Sequence, residues 1–577
     1  MRKIHMTGAT RAAACAWLFF AVAAFAADPP EAPKGAPPEA PGKVAEKTPP
    51  KLPSFDKPSV THHVVRISGE ELRYTATAGY LQTQDSAGKP RAEIFYTAYV
   101  KDQAKDQPEK SLSSTPAESS APAGSPADSP AEAAKPRSAG AAKPRSAGAA
   151  EPRRPGAAEP KGAERPITFA FNGGPGAASM WLNLGALGPK RVQTSDEGKA
   201  LPNPIQLVDN EFTWLEFTDL VFVDPVGTGY SRPAAGVEAK TFYNVEADVE
   251  SAANFIRLYV TRNERWLSPK FLAGESYGGT RAAALSVELQ NALGMNLRGI
   301  VLISSVLDFQ TISFDPGNDL PYALYLPGYT AVAWYHRKLP DDLQRLKLPE
   351  AMAEAERWAT EKYLPALARG DSLTEEERGA VVKDLARYTG LPAPLLTRVN
   401  LRVANRRFAK ELLRDQDRVL GVMDGRVAGF DTNPGVPHAE YDPSFYIQTV
   451  PFVACMNEYL RSELKFETDR EYEYLSGEVS QAWKWGEPGE GYLNELHSLC
   501  RAVSENMQLK LFLANGIYDL NTCYFATKYA LNHMELNPNL QGNVLSRQYP
   551  AGHMLYTDPA CLKQLKEDVA AFYKDAR

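Results

Sequence analysis

The sequence predicts an α/β chain, with a doubly wound, mostly parallel sheet interrupted by a block of charged helices. Three observations carry this. Short apolar runs at 166–171, 220–223, 270–273, 299–304, 510–514 and 543–549 have the length and composition of strands covered on both faces. Helical patterns at 242–260, 280–292, 522–534 and 560–573 alternate with them, the order that builds a parallel sheet between helical layers. Between 309 and 499 the alternation stops, and charged helical segments such as 349–363, 374–388 and 403–415 take over. That block reads as a helical cap inserted between two late strands, roofing the site.

Ahead of this region, 64–67, 72–81 and 92–100 run or alternate apolar with β-branched and aromatic residues, so 61–104 is expected to supply N-terminal strands of the same core. The segment 105–164 differs: Ala-Ala-Lys-Pro-Arg-Ser-Ala-Gly occurs twice in tandem from Ala133 to Gly148. Prolines at that density oppose helix and strand, and the remaining small and charged residues offer no core. It is expected to be a disordered, low-complexity insertion extending a hairpin tip between two paired strands, where added length costs little closure entropy. A second Pro/Ala-rich stretch, 27–60, is expected to be disordered on the same grounds. The chain begins with Arg2, Lys3 and Arg11, an apolar run from Ala12 to Phe25, and Ala24-Phe25-Ala26. This is the pattern of a signal peptide over 1–26, too short to span a bilayer, and it predicts a periplasmic or secreted protein.

No later run is long and apolar enough for a transmembrane segment after signal removal. The net charge of −6 argues against nucleic acid as the main partner. Beyond Cys15, which lies in the signal, there are Cys455, Cys500, Cys523 and Cys561. Four cysteines permit three pairings, and sequence leaves open one or two disulfides or buried thiols. None has the close spacing of a zinc or redox pair. The sequence is silent on oligomeric state.

The chemistry centres on Phe271-Leu-Ala-Gly-Glu-Ser-Tyr-Gly-Gly-Thr280, where a strand runs through Gly-x-Ser-x-Gly into a helix. This is the nucleophile elbow of an α/β-hydrolase, with Ser276 the candidate nucleophile and the Tyr277 N–H at the helix start a candidate oxyanion donor. In that fold the base comes last, after a late strand. His553 follows the 543–549 strand in Tyr-Pro-Ala-Gly-His-Met. The acid that orients it should follow the strand before. Asp519 in Asn515-Gly-Ile-Tyr-Asp519 is favoured, with Asp308 after 299–304 as its rival. A second oxyanion donor is expected from the loop Asn172-Gly-Gly-Pro-Gly176, at Gly174. The elbow therefore lies in a core segment 165–308, and the acid and base in a second, 500–577.

Five blocks in order resemble the serine carboxypeptidase family: Asn172-Gly-Gly-Pro-Gly176, Asp224-Pro-Val-Gly-Thr-Gly-Tyr-Ser231, Gly274-Glu-Ser-Tyr-Gly-Gly279, Gly516-Ile-Tyr-Asp519 and Gly552-His-Met554. Asn210-Glu-Phe-Thr-Trp214 resembles that family's approach to the next strand. The resemblance implies a capped α/β-hydrolase that removes single residues from peptide C-termini without metal or organic cofactor. It implies Ser276, Asp519 and His553 as triad, and Gly174 and Tyr277 as oxyanion donors. It further implies that Asn172, Gly173 and Glu275 bind the substrate's terminal carboxylate. An ionised Glu275 would repel that carboxylate, so recognition should need the protonated acid and favour low pH. Three departures stand out. Ala186-Leu-Gly-Pro189 replaces Glu-Leu-Gly-Pro, removing the family's second carboxylate-binding glutamate; Ala177 replaces a cysteine common in the family; and Asp-Gln-Pro is shortened to Asp224-Pro225.

The expected function is that of an exported serine-type peptidase acting on peptides through an acyl-enzyme. An esterase, amidase or acyltransferase of the same fold is the alternative. A non-catalytic envelope-binding protein using the Pro/Ala segments ranks third, because binding alone has no need of a complete Ser/His/Asp set.

Overall fold

A computed structural model describes residues 57–102, 165–486 and 489–576. The expected signal peptide 1–26, most of the 27–60 stretch and the expected 105–164 insertion lie outside the described residues. The last residues of the 27–60 stretch are strand, since the first strand begins at Ser59.

Among the described residues the core is a ten-stranded sheet. Three strands, β1 (Ser59–Ile67), β2 (Glu70–Gln84) and β3 (Pro90–Lys101), form an antiparallel meander at one edge. Six more follow: β4 (Ile167–Phe171), β5 (Asp219–Val223), β6 (Lys270–Glu275), β7 (Leu297–Ile303), β8 (Lys510–Gly516) and β9 (Val544–Tyr549). The spatial order is β1-β2-β3-β5-β4-β6-β7-β8-β9, with every pair from β5 to β9 parallel. The two-residue strand Arg232–Pro233 pairs with β3.

The expected hairpin across the insertion is not formed. Strand β5 lies between β3 and β4, antiparallel to the first and parallel to the second. Adjacency in sequence misled here because β4 begins the parallel part of the sheet, whose order is set by long-range crossovers.

Strands β4 to β6 are buried at every position, as their unbroken apolar runs require. Successive residues still face opposite ways. Leu272, Ile300, Leu302, Leu511 and Leu513 enter one core with Phe255 and Ile256 of α1 (Val245–Arg262) and Leu285 of α2 (Tyr277–Asn291). Phe271, Ala273, Val301, Ile303 and Phe512 enter the other. There they meet the C-terminal helix Pro559–Ala576, whose Tyr573 ring stacks on Phe271 at 4.0 Å. Helix α1 starts where the Asn244 side chain accepts the Ala247 N–H at 2.9 Å, and Glu246 and Asp248 in its first turn suit the helix dipole.

The chain between β7 and β8 is mainly helical, with α3 (Leu320–Tyr335), α4 (Leu348–Trp358), α5 (Glu375–Thr389), α6 (Pro443–Ser462) and α7 (Leu496–Glu505) as its longer pieces. The expected 403–415 helix is shorter, Asn405–Glu411. The boundary expected at 499 falls inside α7, which packs on α2. Cys455, Cys500, Cys523 and Cys561 are all free thiols, and all but Cys500 are buried. Of the outcomes open in the sequence, the structure takes unpaired thiols. No helix among the described residues is long and apolar enough to cross a membrane.

The described residues on either side of 105–164 meet one carboxylate. Asp219 Oδ1 accepts the Lys101 N–H at 3.1 Å and the Arg165 Nε–H at 2.6 Å, while Oδ2 accepts from Arg265 Nη1 at 2.7 Å. The chain before and after the undescribed segment is thus tied to the start of β5. Asp219 is 2% exposed, and its removal leaves the Arg265 guanidinium, 10% exposed, and the Arg165 guanidinium without their shared carboxylate. Asp219→Ala should lower the unfolding free energy by about 3–5 kcal/mol in urea titration; a loss below about 1 kcal/mol would show that this clamp is not structural.

Candidate active site

Ser276 stands at the junction of β6 and α2 with φ 57° and ψ −128°, a conformation costly for any L-residue. Its N–H donates to Ile303 O at 3.0 Å and its carbonyl accepts from Gly279 N at 2.9 Å, which fixes the turn from both sides. The turn is tight enough that a Cβ on Gly274 would lie 2.2 Å from Gly278 O. The loop Asn172–Gly176 presses on the same point. A Cβ on Gly173 would lie 2.6 Å from Tyr277 N and 2.9 Å from the Ser276 Cβ. The Tyr277 N–H and the glycine loop therefore border the space beside Ser276 where a tetrahedral oxyanion would form. Gly174, next along, has φ 105°.

His553 and Asp519 meet at the ends of β9 and β8. His553 Nδ1 lies 2.7 Å from Asp519 Oδ2, with both side chains buried. Asp519 Oδ1 accepts the N–H groups of Asn521 (2.7 Å) and Thr522 (2.9 Å), and Oδ2 also accepts from Thr522 Oγ1 at 2.8 Å. The carboxylate is thus held rigidly toward the imidazole. Burial alone would lower the His553 pKa, but the charge and hydrogen bond of Asp519, with Glu275 behind them, raise it above the ordinary value. The imidazole backbone is fixed by His553 N–H to Met423 O (2.6 Å) and by Ser304 Oγ to His553 O (2.7 Å). Asp308, the rival acid, instead caps a short helix by accepting the Gln310 N–H at 2.9 Å.

Glu275, immediately before Ser276, is 3% exposed. Burial pushes its pKa up to about 7, against the opposing pull of His553 and of hydrogen bonds from Tyr556 and Asn172. Asn172 Nδ2 donates to Glu275 Oε2 at 2.8 Å and Tyr556 Oη donates to the same oxygen at 2.6 Å. Asn172 is itself fixed, since its Oδ1 accepts the Leu182 N–H (3.0 Å) and its carbonyl accepts from Arg281 Nη1 (2.9 Å). Arg281 is buried and paired with Asp248 at 2.7 Å, and Asp248 also accepts the Tyr277 hydroxyl at 3.1 Å.

The structure therefore gathers Asn172, Gly173, Gly174, Glu275, Ser276 and Tyr277 at one point and pairs Asp519 with His553. Three contributors were not foreseen: Tyr556, Thr522 and the Arg281–Asp248 pair. The Tyr556 contact joins residues 281 positions apart, and nothing local to Leu-Tyr-Thr marks it. Beside the elbow lies a cavity of about 270 Å³ lined by Phe309, Phe314, Arg406, Trp485, Tyr492 and Asn521. One of its walls, Trp485, packs edge-on against Tyr277 of the elbow with ring centroids 5.8 Å apart. No cluster of three or more His, Cys, Asp or Glu side chains among the described residues could hold a metal ion.

Fold and site define an α/β-hydrolase with a serine at its elbow. Residues 157–324 match the model of the serine carboxypeptidase family. Over 168 residues the chain is 30% identical to the pheromone-processing carboxypeptidase KEX1 of Yarrowia lipolytica, covering 28% of this chain and 24% of that protein. It is 31% identical over 150 residues to the retinoid-inducible serine carboxypeptidase of Mus musculus, covering 24% and 29%. The chain thus spans only about a quarter of the length of these relatives. A crystal structure of a prohormone-processing carboxypeptidase from Saccharomyces cerevisiae superposes with a TM-score of 0.50 at 14% identity, over 87% of this chain and 91% of that one, which shows a shared fold. The matched stretch holds the glycine loop and the elbow, and over it the chain is similar to the serine carboxypeptidases. The family match stops before Asp519 and His553, whose pairing rests on the geometry above.

Gly173→Ala should push the glycine loop off the Tyr277 N–H. We expect kcat to fall by roughly 10²–10³, as for loss of one oxyanion donor, with a much smaller change in KM for an ester substrate. A variant with wild-type kcat would show that this contact does not shape the site.

Proposed function

We propose that this chain is an exported serine-type carboxypeptidase that releases C-terminal residues from peptides through an acyl-enzyme. Ser276 Oγ attacks the scissile carbonyl while His553 takes its proton and passes it to the leaving amine. Asp519 keeps Nδ1 protonated and offsets the imidazolium charge. The N–H groups of Gly174 and Tyr277 hold the oxyanion. Water, activated by the same imidazole, then frees the acyl group. The leaving residue's carboxylate is received by Asn172, by the Gly173 N–H and by a protonated Glu275. The signal-like N-terminus supports export to the periplasm or exterior.

One observation carries the carboxypeptidase reading over that of a general hydrolase: a buried glutamate, adjacent to the nucleophile, with its pKa raised to about 7 and held by Asn172. A neutral carboxyl in that position donates to a carboxylate, whereas an ester or amide hydrolase has no use for it. The second reading, an esterase, amidase or acyltransferase, draws on Ala186 standing where the family's second glutamate is expected.

The test pairs a fluorophosphonate probe with two peptides. The probe should label the purified protein and fail on Ser276→Ala, whose peptide turnover should drop by at least about 10⁴. Peptides with a free or an amidated C-terminus then separate the readings. Glu275 donates only while protonated, so KM for the free acid should be lowest below about pH 7 and rise as pH passes through that value. The imidazole must be neutral to accept a proton, so kcat for both peptides should fall as pH drops through the raised His553 pKa. Equal KM–pH profiles for the two peptides would reject the carboxypeptidase reading, and probe labelling of Ser276→Ala at the wild-type rate would reject the nucleophile.

A further inference from the structure

The two hydrogen bonds to Glu275 fall on one oxygen. Tyr556 Oη at 2.6 Å and Asn172 Nδ2 at 2.8 Å both donate to Oε2. Among the described residues Oε1 has no hydrogen-bond partner. An sp² carboxyl oxygen has two in-plane lone pairs, and while Tyr556 and Asn172 both donate to Oε2 they are engaged, which leaves Oε1 to carry an added proton. Asn172 cannot turn over to relieve this, because its Oδ1 is held by the Leu182 N–H.

Tyr556 reaches Glu275 through a gap made by small residues. Its ring packs against Gly185, where a Cβ would come within 2.3 Å of a ring carbon. The next residue is Ala186, which is fully buried. The position where a second glutamate is expected thus carries a methyl group, and the residue before it, Gly185, is packed against a phenol arriving three residues after His553.

The geometry points to Tyr556 as a positioning residue that stands in for the missing second carboxyl, directing the acidic proton of Glu275 onto Oε1, where it faces the terminal carboxylate of the substrate. The inference rests on the carboxypeptidase reading of the site. A phenol suits the task because it stays protonated over the range in which a second carboxyl would ionise; burial and the neighbouring Glu275 raise the Tyr556 pKa well above its ordinary value. Free-acid binding should then follow the titration of one carboxyl, without the split pair of steps that two coupled carboxyls give.

The test is Tyr556→Phe, assayed with the free-acid peptide and its amide across about pH 4–9. Loss of the hydroxyl keeps the ring packed on Gly185 and removes only the donor. KM for the free acid below the midpoint should rise roughly tenfold, the worth of a hydrogen bond to an acidic group, while KM for the amide changes by less than about twofold. The midpoint of the KM–pH curve should move upward, because the lost bond had favoured the carboxylate. Loosened packing would do the opposite, since water would return Glu275 toward an ordinary carboxyl. An unchanged free-acid KM and midpoint, equal KM rises for both peptides, or a downward midpoint would each overturn the role of Tyr556. A wild-type enzyme with no free-acid preference at any pH would overturn the carboxypeptidase reading and this inference with it. If the variant does not fold, the wild-type infrared spectrum decides. A protonated Glu275 carbonyl at the frequency of a doubly hydrogen-bonded C=O supports the assignment, and one at the frequency of a free C=O overturns it.

Discussion

The site depends on the close approach of three backbones around Ser276. The end of β6, the start of α2 and the Asn172–Gly176 loop meet at distances that leave no space for a Cβ on Gly173 or Gly274. This crowding holds Ser276 at φ 57°, at a cost of about 1–3 kcal/mol. The surrounding hydrogen bonds, from Ser276 N to Ile303 O and from Gly279 N to Ser276 O, over-determine the turn and let the strain persist. The same crowding places the Tyr277 N–H beside the glycine loop and seals Glu275 from water. A looser elbow would lose the oxyanion donors and the raised pKa of Glu275 together.

The support behind the site is electrostatic as much as steric. The buried Arg281 guanidinium joins Asp248 to the Asn172 carbonyl, so α2 carries both the elbow and the brace for the loop facing it. On the opposite side Thr522 bridges Asp519 and the Ser304 carbonyl, while Met423 receives the His553 N–H from the helical insertion. The insertion therefore contributes to the position of the imidazole as well as covering it. Arg426, in the same turn, pairs with Asp424 (2.7 Å) and Asp558 (3.3 Å) and so ties the insertion to the segment that follows His553.

Much of this was legible in the sequence, for physical reasons that differ between elements. Strands β4 to β8 announce themselves because burial on both faces demands unbroken apolar runs. The elbow is legible because its glycines are obligatory, and Asp519 and His553 because each lies on a loop just past a strand. What could not be read involves contacts without local cause. Strand β5 inserts between β3 and β4 by a crossover, and no residue in either flank specifies it. Tyr556 reads as one more aromatic residue beside a short helix until Gly185 is seen to leave space for it. The four cysteines allow three possible pairings, and only the fold, which leaves all four unpaired, shows them as thiols. The buried Arg281 is hidden in an alanine-rich helix, where an arginine ordinarily reads as surface.

The account turns on Glu275 being a neutral acid next to the nucleophile near neutral pH. Infrared difference spectroscopy between the wild type and Glu275→Gln measures this directly, through the carbonyl stretch of a protonated carboxyl. A single band is expected, present in acid and lost with a midpoint at about pH 7. A band lost near the ordinary glutamate value of about 4.3 would contradict it, because Glu275 would then be charged when substrate arrives.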